Sequence, residues 1–164
     1  MSDTQALLEK RTELLATLFL TRHPAVVTRV ELDDIDLIVH LFPDKEDPAS
    51  TVPVFGVILK GTANSIEDEG QAGRHLSHFW TKRKARRYFM PILVMLYSMN
   101  NDQGYYAWAF EPWVNLAETL PRLTKHPKLE FAKANHNASD EITEQVRAWY
   151  DALSSIIFNS PIKS

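Results

Sequence analysis

The spacing of apolar residues changes from helical to strand-like soon after the N-terminus. Residues 5–20 place leucines and a phenylalanine on a helical period, and Ser2 with Gln5 forms a capping box, so we expect a first helix there. Residues 25–32 and 35–42 are rich in β-branched side chains and predict two strands. The chain therefore begins with the order αββ.

The middle of the chain continues with strands around one helix. Residues 52–60 (VPVFGVILK) predict a third strand, and the apolar edge formed by Leu76 and Trp80 predicts a helix whose other faces are basic. Residues 91–97 are a continuous apolar run, which is typical of a strand buried on both faces. Residues 105–110 follow across a turn rich in Asn and Gly, so we expect an antiparallel hairpin.

The C-terminal third is predicted to be helical. We expect Pro112 to end the preceding strand and residues 113–122 to form a short helix. A polar connector through about residue 138 leads to the longest helical pattern in the chain, with Ser139 as the expected N-cap. The whole order is αβββαββαα.

This order predicts an α/β fold with a central mixed sheet of about five strands. The 164 residues, of which 45% are apolar and 24% charged, suit a single domain that folds without disulfides or metal. We expect residues 1–164 to form that one domain, with a core at about 5–112 and a helical part at 113–164.

Composition and the N-terminus exclude several classes of protein. The chain has no cysteine, so it has neither disulfides nor a thiolate zinc site, and no cysteine nucleophile. The N-terminal residues are polar and acidic where a signal peptide needs a basic start and an apolar stretch, and no apolar run approaches the ~20 residues of a membrane span. We therefore expect a cytoplasmic protein without membrane contact.

Asp34, Asp36 and Lys60 are the residues with the clearest potential for chemistry. Side chains two apart on a strand share a face, so Asp34 and Asp36 are expected to project together at the start of the second strand. By the same spacing Ile58 and Lys60 share a face at the end of the third strand. Clustered carboxylates bind Mg²⁺, which can activate a water for attack on a phosphodiester, and a lysine can position that water.

A family resemblance adds to this pattern. The stretches DDIDLIVHLFPD, VPVFGVILKGT and MPILVMLYSMNNDQGYYAWAF resemble the PD-(D/E)XK (restriction-endonuclease-like) superfamily, nearest to an uncharacterised bacterial family often found in phage-defence contexts. The resemblance implies a restriction-endonuclease-like fold. It matches Asp36 with the metal-binding aspartate, Lys60 with the motif lysine, and Glu9 or Glu13 with an acid on the first helix.

Ile58 departs from that family pattern. It stands where members have glutamate, aspartate or glutamine, and isoleucine offers no oxygen to a metal. Either Asp34 substitutes as a ligand and Mg²⁺ is bound, or the domain is inactive. We expect no Mg²⁺-dependent cleavage, and we expect glutamate at position 58 to raise metal affinity. The alternative without the resemblance is that the aspartates only form a turn and Lys60 only ends a strand.

A basic segment follows the third strand. It runs from residue 74 to residue 87 without an acid, while the whole chain carries a net charge of −3. Such a segment can bind phosphates, form a solvated helix face, dock the acidic loop at residues 67–69, or bind a protein partner. The acidic overall charge slightly favours a solvated face or a protein partner over direct DNA binding. The candidate nucleic-acid-binding residues are Arg74, Lys82, Arg83, Lys84, Arg86 and Arg87.

The sequence thus indicates a degenerate PD-(D/E)XK-like domain, a non-catalytic or weakly catalytic component of a bacterial defence or mobile-element system that binds nucleic acid or protein. One alternative is an active Mg²⁺-dependent nuclease that uses Asp34, Asp36 and Lys60. The other is a regulatory interaction module without a nucleic-acid role. The oligomeric state stays open.

Overall fold

The computed structural model describes residues 2–43, 52–83, 87–115, 117 and 120–159. In chain order the elements are α1 (Asp3–Leu20), β1 (Ala25–Leu32), β2 (Ile35–Leu41), β3 (Val54–Thr62), α2 (Glu69–Arg83), β4 (Ile92–Ser98), β5 (Gly104–Asn115), β6 (Leu120–Lys125), β7 (Ala132–Lys133) and α3 (His136–Asn159). The predicted first helix, five strands and basic helix are confirmed. The α/β class is confirmed as well.

The first helix begins as its capping residues predict. The Ser2 hydroxyl accepts a hydrogen bond from the Gln5 N–H at 3.2 Å, which satisfies one of the donors left open at a helix start. After α1 a short turn leads directly into β1. The turn between β1 and β2 places Asp33 at φ 53°, a left-handed conformation that aspartate tolerates better than most residues.

Within the described residues the strands form one mixed, open sheet. Its order is β1-β2-β3-β4-β5-β6, and β7 pairs with β5. β3 and β4 are parallel and connected through α2, while the other pairs are antiparallel. All residues of β4 are buried, as the continuous apolar run predicts. The sheet has seven strands rather than the predicted five.

The predicted short helix at 113–122 is wrong. β5 continues through Pro112 to Asn115, and β6 pairs with this extension, with Pro112 opposite Leu123. β4 pairs with β5 only as far as Phe110, so the missing N–H of Pro112 interrupts no ladder with β4. Pairing with β6 therefore extends a strand that the proline was expected to end.

The last helix begins earlier than predicted. It starts at His136, and the Asn135 side-chain oxygen accepts from the Ala138 N–H at 3.0 Å. Ser139, the predicted cap, is a buried residue inside the first turns of α3. Among the described helices none is both long enough and apolar enough to cross a bilayer.

The sheet separates two apolar cores. One core lies on the side of α2 and includes Ile58 with Leu76 and Trp80 of that helix. The other lies on the side of α1 and α3 and includes Val57 and Phe19. Consecutive residues of β3 thus enter opposite cores, and the charged residues that carry the candidate chemistry lie where β3 ends.

Candidate functional site

The candidate site lies where β2 and β3 separate. The two strands are paired from His40 and Val54 to Leu37 and Val57. One residue further, the Asp36 carboxylate accepts a hydrogen bond from the Leu59 N–H at 2.7 Å. The Asp36 carboxylate thus replaces a main-chain acceptor for the Leu59 N–H. We call this point, where β2 and β3 separate beside Asp36 and Leu59, the fork.

The neighbouring strand is irregular at the same point. The register between β1 and β2 shifts between Arg29 and Leu32, so an extra residue of β1 lies opposite Asp36. Bulges of this kind redirect side chains and are common near functional sites. The alternation of β2 breaks at the same residue, since Ile35 and Leu37 on either side of Asp36 enter opposite cores.

Asp36 borders a cavity of about 220 Å³ between α1 and the strand ends. Charged residues contribute much of its wall. Arg29 pairs with Glu13 of α1 at 3.0 Å across this cavity. The charged residues that line it are Glu9, Glu13, Arg29, Asp36 and Lys60. The predicted acidic residues of the first helix therefore do face the predicted aspartate.

A close approach of α1 to β3 forms one wall of the cavity. A Cβ atom added to Gly61 would lie 2.2 Å from the Thr12 hydroxyl oxygen. Only a residue without a side chain lets the helix lie this near the strand. Gly61 follows Lys60 directly, so the same contact fixes where Lys60 stands relative to α1.

Burial sets the protonation behaviour of Asp36. Loss of solvation raises the pKa of the Asp36 carboxyl above its ordinary value, and the Leu59 N–H and the charges of Lys60 and Arg29 oppose that rise. The nearby Asp34 charge raises the pKa further. The carboxyl is therefore held at a cost to the folded state, offset in part by its hydrogen bond.

Lys60 borders the cavity but its ammonium turns to the other side of the sheet. The Nζ atom lies 4.5 Å from the centroid of the Phe79 ring on α2, a cation–π contact. No ion pair joins Lys60 to Asp36 or to any other carboxylate in the described part of the chain. The two residues predicted to act together share the strand ends, but they are not in direct contact.

The residues at the fork do not fit a Mg²⁺ site. Ile58 is 1% exposed and belongs to the core on the α2 side, away from the cavity that Asp36 lines. Asp34 lies in the turn before β2 and does not line the cavity. Among the described residues, no group of three His, Asp or Glu side chains converges to hold a metal. Asp34 thus lies near enough to Asp36 to affect its pKa, but it does not line the same cavity.

The structure describes part of the basic segment, from Arg74 to the end of α2 and again from Arg87. Arg74 and Lys82 are exposed on α2, and Arg87 is exposed beyond it. Arg83 is the last residue of the helix, and Lys84 and Arg86 lie outside the described residues. Where the structure describes them, Arg74, Lys82 and Arg87 form no ion pair with a carboxylate.

Two histidine–carboxylate pairs lie away from the fork and were not predicted. His126 contacts Glu111 at 2.6 Å, and the same carboxylate accepts from the Gln145 amide at 3.2 Å, which ties β5 to α3. His23 contacts Asp140 at 2.6 Å and connects the turn after α1 to α3. The partners are far apart in sequence, so no local pattern could indicate them.

No family model, curated protein or solved structure matches the chain. The resemblance to the PD-(D/E)XK superfamily therefore stays a prediction from the motifs.

Asp36→Asn is expected to raise stability at neutral pH. A raised pKa means that the folded state binds more protons than the unfolded state, so stability falls as pH rises through the folded pKa. Asparagine cannot ionise, and its oxygen can still accept from Leu59. In urea unfolding, the variant should exceed the parent at neutral pH, and the difference should shrink below the ordinary aspartate pKa.

Asp36→Ala is the control for this prediction. It removes the acceptor of the Leu59 N–H, and an unpaired buried donor costs about 1 kcal/mol or more. An asparagine variant less stable than the parent at neutral pH would contradict the assigned cause, because the ionised carboxylate would then stabilise the fold.

Proposed function

We propose that this chain is a PD-(D/E)XK-like domain that lacks hydrolytic activity and binds nucleic acid through the exposed face of α2. The resemblance of its motifs implies a bacterial defence or mobile-element setting for such a protein. The observation that carries the proposal is the burial of Ile58 at the position of the acidic ligand, next to a basic helix whose described cations have no acidic partner.

The order of elements supports the likeness to the superfamily. A helix precedes an antiparallel three-strand meander, and a second helix then leads to a strand parallel to the third. Asp36 lies near the start of β2, and Lys60 lies near the end of β3. This is the arrangement that the resemblance implies for a nuclease core, with an acid of α1 facing the aspartate.

The side chains available as metal ligands at the fork support the proposed lack of hydrolytic activity. Phosphodiester cleavage by a metal hydroxide needs the ion fixed by several oxygen ligands. Here the Asp36 carboxylate is engaged by the Leu59 N–H, and the Ile58 side chain is packed in the opposite core. Lys60, which would position the water, contacts an aromatic ring instead.

The surface of α2 supports a polyanionic partner. Arg74, His78 and Lys82 follow one another at four-residue spacing, so they form a stripe on the solvent side with about 6 Å of axial rise between neighbours. The stripe does not pair with the acidic loop at residues 67–69. Cations that form no ion pair within the described residues can bind phosphates, and such binding is electrostatic and strongly salt-dependent.

Oligonucleotide binding with salt titration tests the binding half of the proposal. We expect labelled oligonucleotides to bind at low salt and affinity to fall steeply as salt rises. Arg74→Glu combined with Lys82→Glu should abolish binding. The matched control is Lys10→Glu with Lys133→Glu, which makes the same change of net charge at exposed positions on α1 and β7.

Three outcomes would overturn the proposal. If no oligonucleotide binds at low salt, the stripe serves an acidic protein partner or folding. If plasmid, single-stranded DNA or RNA is cleaved with Mg²⁺ or Mn²⁺, and Asp36→Ala removes that activity, the chain is a nuclease. Equal loss of binding in both charge-reversed pairs would show that net charge, and not α2, determines affinity.

A further inference from the structure

Lys60 presents its charge on the α2 side of the sheet. It follows Ile58 by two residues of β3, and the Ile58 side chain packs in the core on that side. Although Lys60 borders the cavity beside α1, its Nζ atom lies 4.5 Å from the centroid of the Phe79 ring on α2. The ammonium of the motif lysine thus lies beside the basic helix.

Phe79 lies at the boundary between the buried and the exposed faces of α2. Its side chain is half-buried, whereas Trp80 next to it is buried. Positions three or four apart on a helix are neighbours, with Cβ atoms about 5–6 Å apart. For Phe79 these positions include His75 and Lys82, and both are exposed. Lys60, His75 and Lys82 are therefore all neighbours of one aromatic side chain.

The two lysines beside Phe79 are not neutralised by an acid in contact with them. Within the described ranges, neither Lys60 nor Lys82 forms an ion pair with a carboxylate. The charge of Lys60 opposes the rise in the pKa of Asp36, but only from a distance longer than an ion pair. Glu69, at the start of α2, lies about 20 Å along the helix axis from Lys82. Cations held near one another repel, so this surface favours a bound anion.

We propose that Lys60 binds a phosphate of the nucleic acid beside Lys82, and that the Phe79 ring positions the Lys60 ammonium for this contact. The inference rests on the proposed function, since it adds a residue of β3 to the binding surface of α2. Lysine binds phosphate as a point charge, so its position matters more than its orientation, and the cation–π contact supplies that position. This role differs from the one that the family resemblance implies, in which Lys60 positions a water at Asp36.

The salt dependence of binding counts phosphate contacts and so tests the role of Lys60. The logarithm of the binding constant falls linearly with the logarithm of salt concentration, by about 0.9 per contact for a duplex and about 0.7 for a single strand. Lys60→Met keeps a long side chain without charge, so it should reduce the slope for a labelled oligonucleotide by that amount. Lys60→Arg should keep the slope of the parent. Lys10→Met is the matched control, because it removes the same charge from α1, on the other side of the sheet, and should leave the slope unchanged.

Substitutions at Phe79 test the positioning role. Phe79→Leu keeps an apolar side chain but offers no ring face to the ammonium, so affinity at low salt should fall about two- to fivefold. Phe79→Tyr should keep the affinity of the parent. When combined with Lys60→Met, Phe79→Leu should have no further effect on affinity, because the ammonium that the ring positions is then absent.

The results distinguish this inference from the function on which it rests. If oligonucleotides bind but Lys60→Met leaves the slope unchanged, or Lys10→Met changes it as much, the role of Lys60 is wrong and the proposed binding by α2 still stands. If Phe79→Leu lowers affinity equally with and without the Lys60 ammonium, Phe79 does not position Lys60. If no oligonucleotide binds at low salt, both the inference and the proposed function are wrong.

Discussion

Ile58→Glu is expected to lower the free energy of unfolding by about 3 kcal/mol or more. Ile58 is 1% exposed and packs with Leu76 and Trp80 between the sheet and α2. An introduced carboxyl loses that packing and enters a site without water, where the charged form is strongly disfavoured. Urea unfolding measures the loss, which should be larger at alkaline than at acid pH because the buried acid takes up a proton.

Mn²⁺ distinguishes a core position from a metal-ligand position. The family pattern predicts that a carboxylate at residue 58 raises metal affinity. The structure places Ile58 on the α2 side of the sheet and the cavity of Asp36 on the α1 side, so we expect Mn²⁺ not to restore the lost stability. Ile58→Val, which removes one methyl group, should cost about 1 kcal/mol and show no pH dependence. Stabilisation of the glutamate variant by Mn²⁺ would contradict this placement.

Gly61→Ala is expected to destabilise the protein by about 1 to 3 kcal/mol, because an added Cβ overlaps the Thr12 hydroxyl at 2.2 Å and makes tight contacts with two atoms of Leu8 at 3.2 and 3.3 Å. Thr12 is a short side chain that donates to the Leu8 carbonyl at 2.8 Å, so it cannot simply rotate away at no cost. Either Thr12 rotates and loses this hydrogen bond, or the helix shifts away from the strand, and both responses cost stability. Thermal or urea unfolding measures the effect.

Gly73→Ala is the matched control, since it adds the same methyl group at a position where the neighbouring atoms leave space for it. The nearest atom to its added Cβ is the Leu129 carbonyl oxygen at 3.7 Å, and alanine favours a helix interior more than glycine does, so a gain of up to about 1 kcal/mol is expected. Combining Gly61→Ala with Thr12→Ala should recover part of the loss. A neutral Gly61→Ala would show that α1 does not lie this close to β3.

The strands of the core could be predicted because their patterns are local. The continuous apolar run at residues 91–97 indicates burial on both faces, and β4 is buried throughout. Residues 113–122 were misassigned because their strand character comes from pairing between β5 and β6, which no short window contains. The choice between Asn135 and Ser139 as the cap of α3 likewise depends on where the chain leaves β7.

The fork could be predicted only in part. Alternation correctly puts Ile58 and Lys60 on one side of β3, and the motif singles out Asp36, which lines the cavity beside α1. The shift of register beside Arg29 and the separation of β2 from β3 are properties of three strands together, so the sequence could not predict them.

The order of strands in the sheet has a consequence for how the chain folds. Each strand from β1 to β6 lies beside its neighbour in sequence, so most pairings close short loops at little entropic cost. The parallel pairing of β3 with β4 is the exception, because the whole of α2 must cross over before the first ladder bond forms. Docking of β4 is therefore the expected rate-limiting step, with the meander of β1 to β3 and the β4–β5 hairpin forming ahead of it.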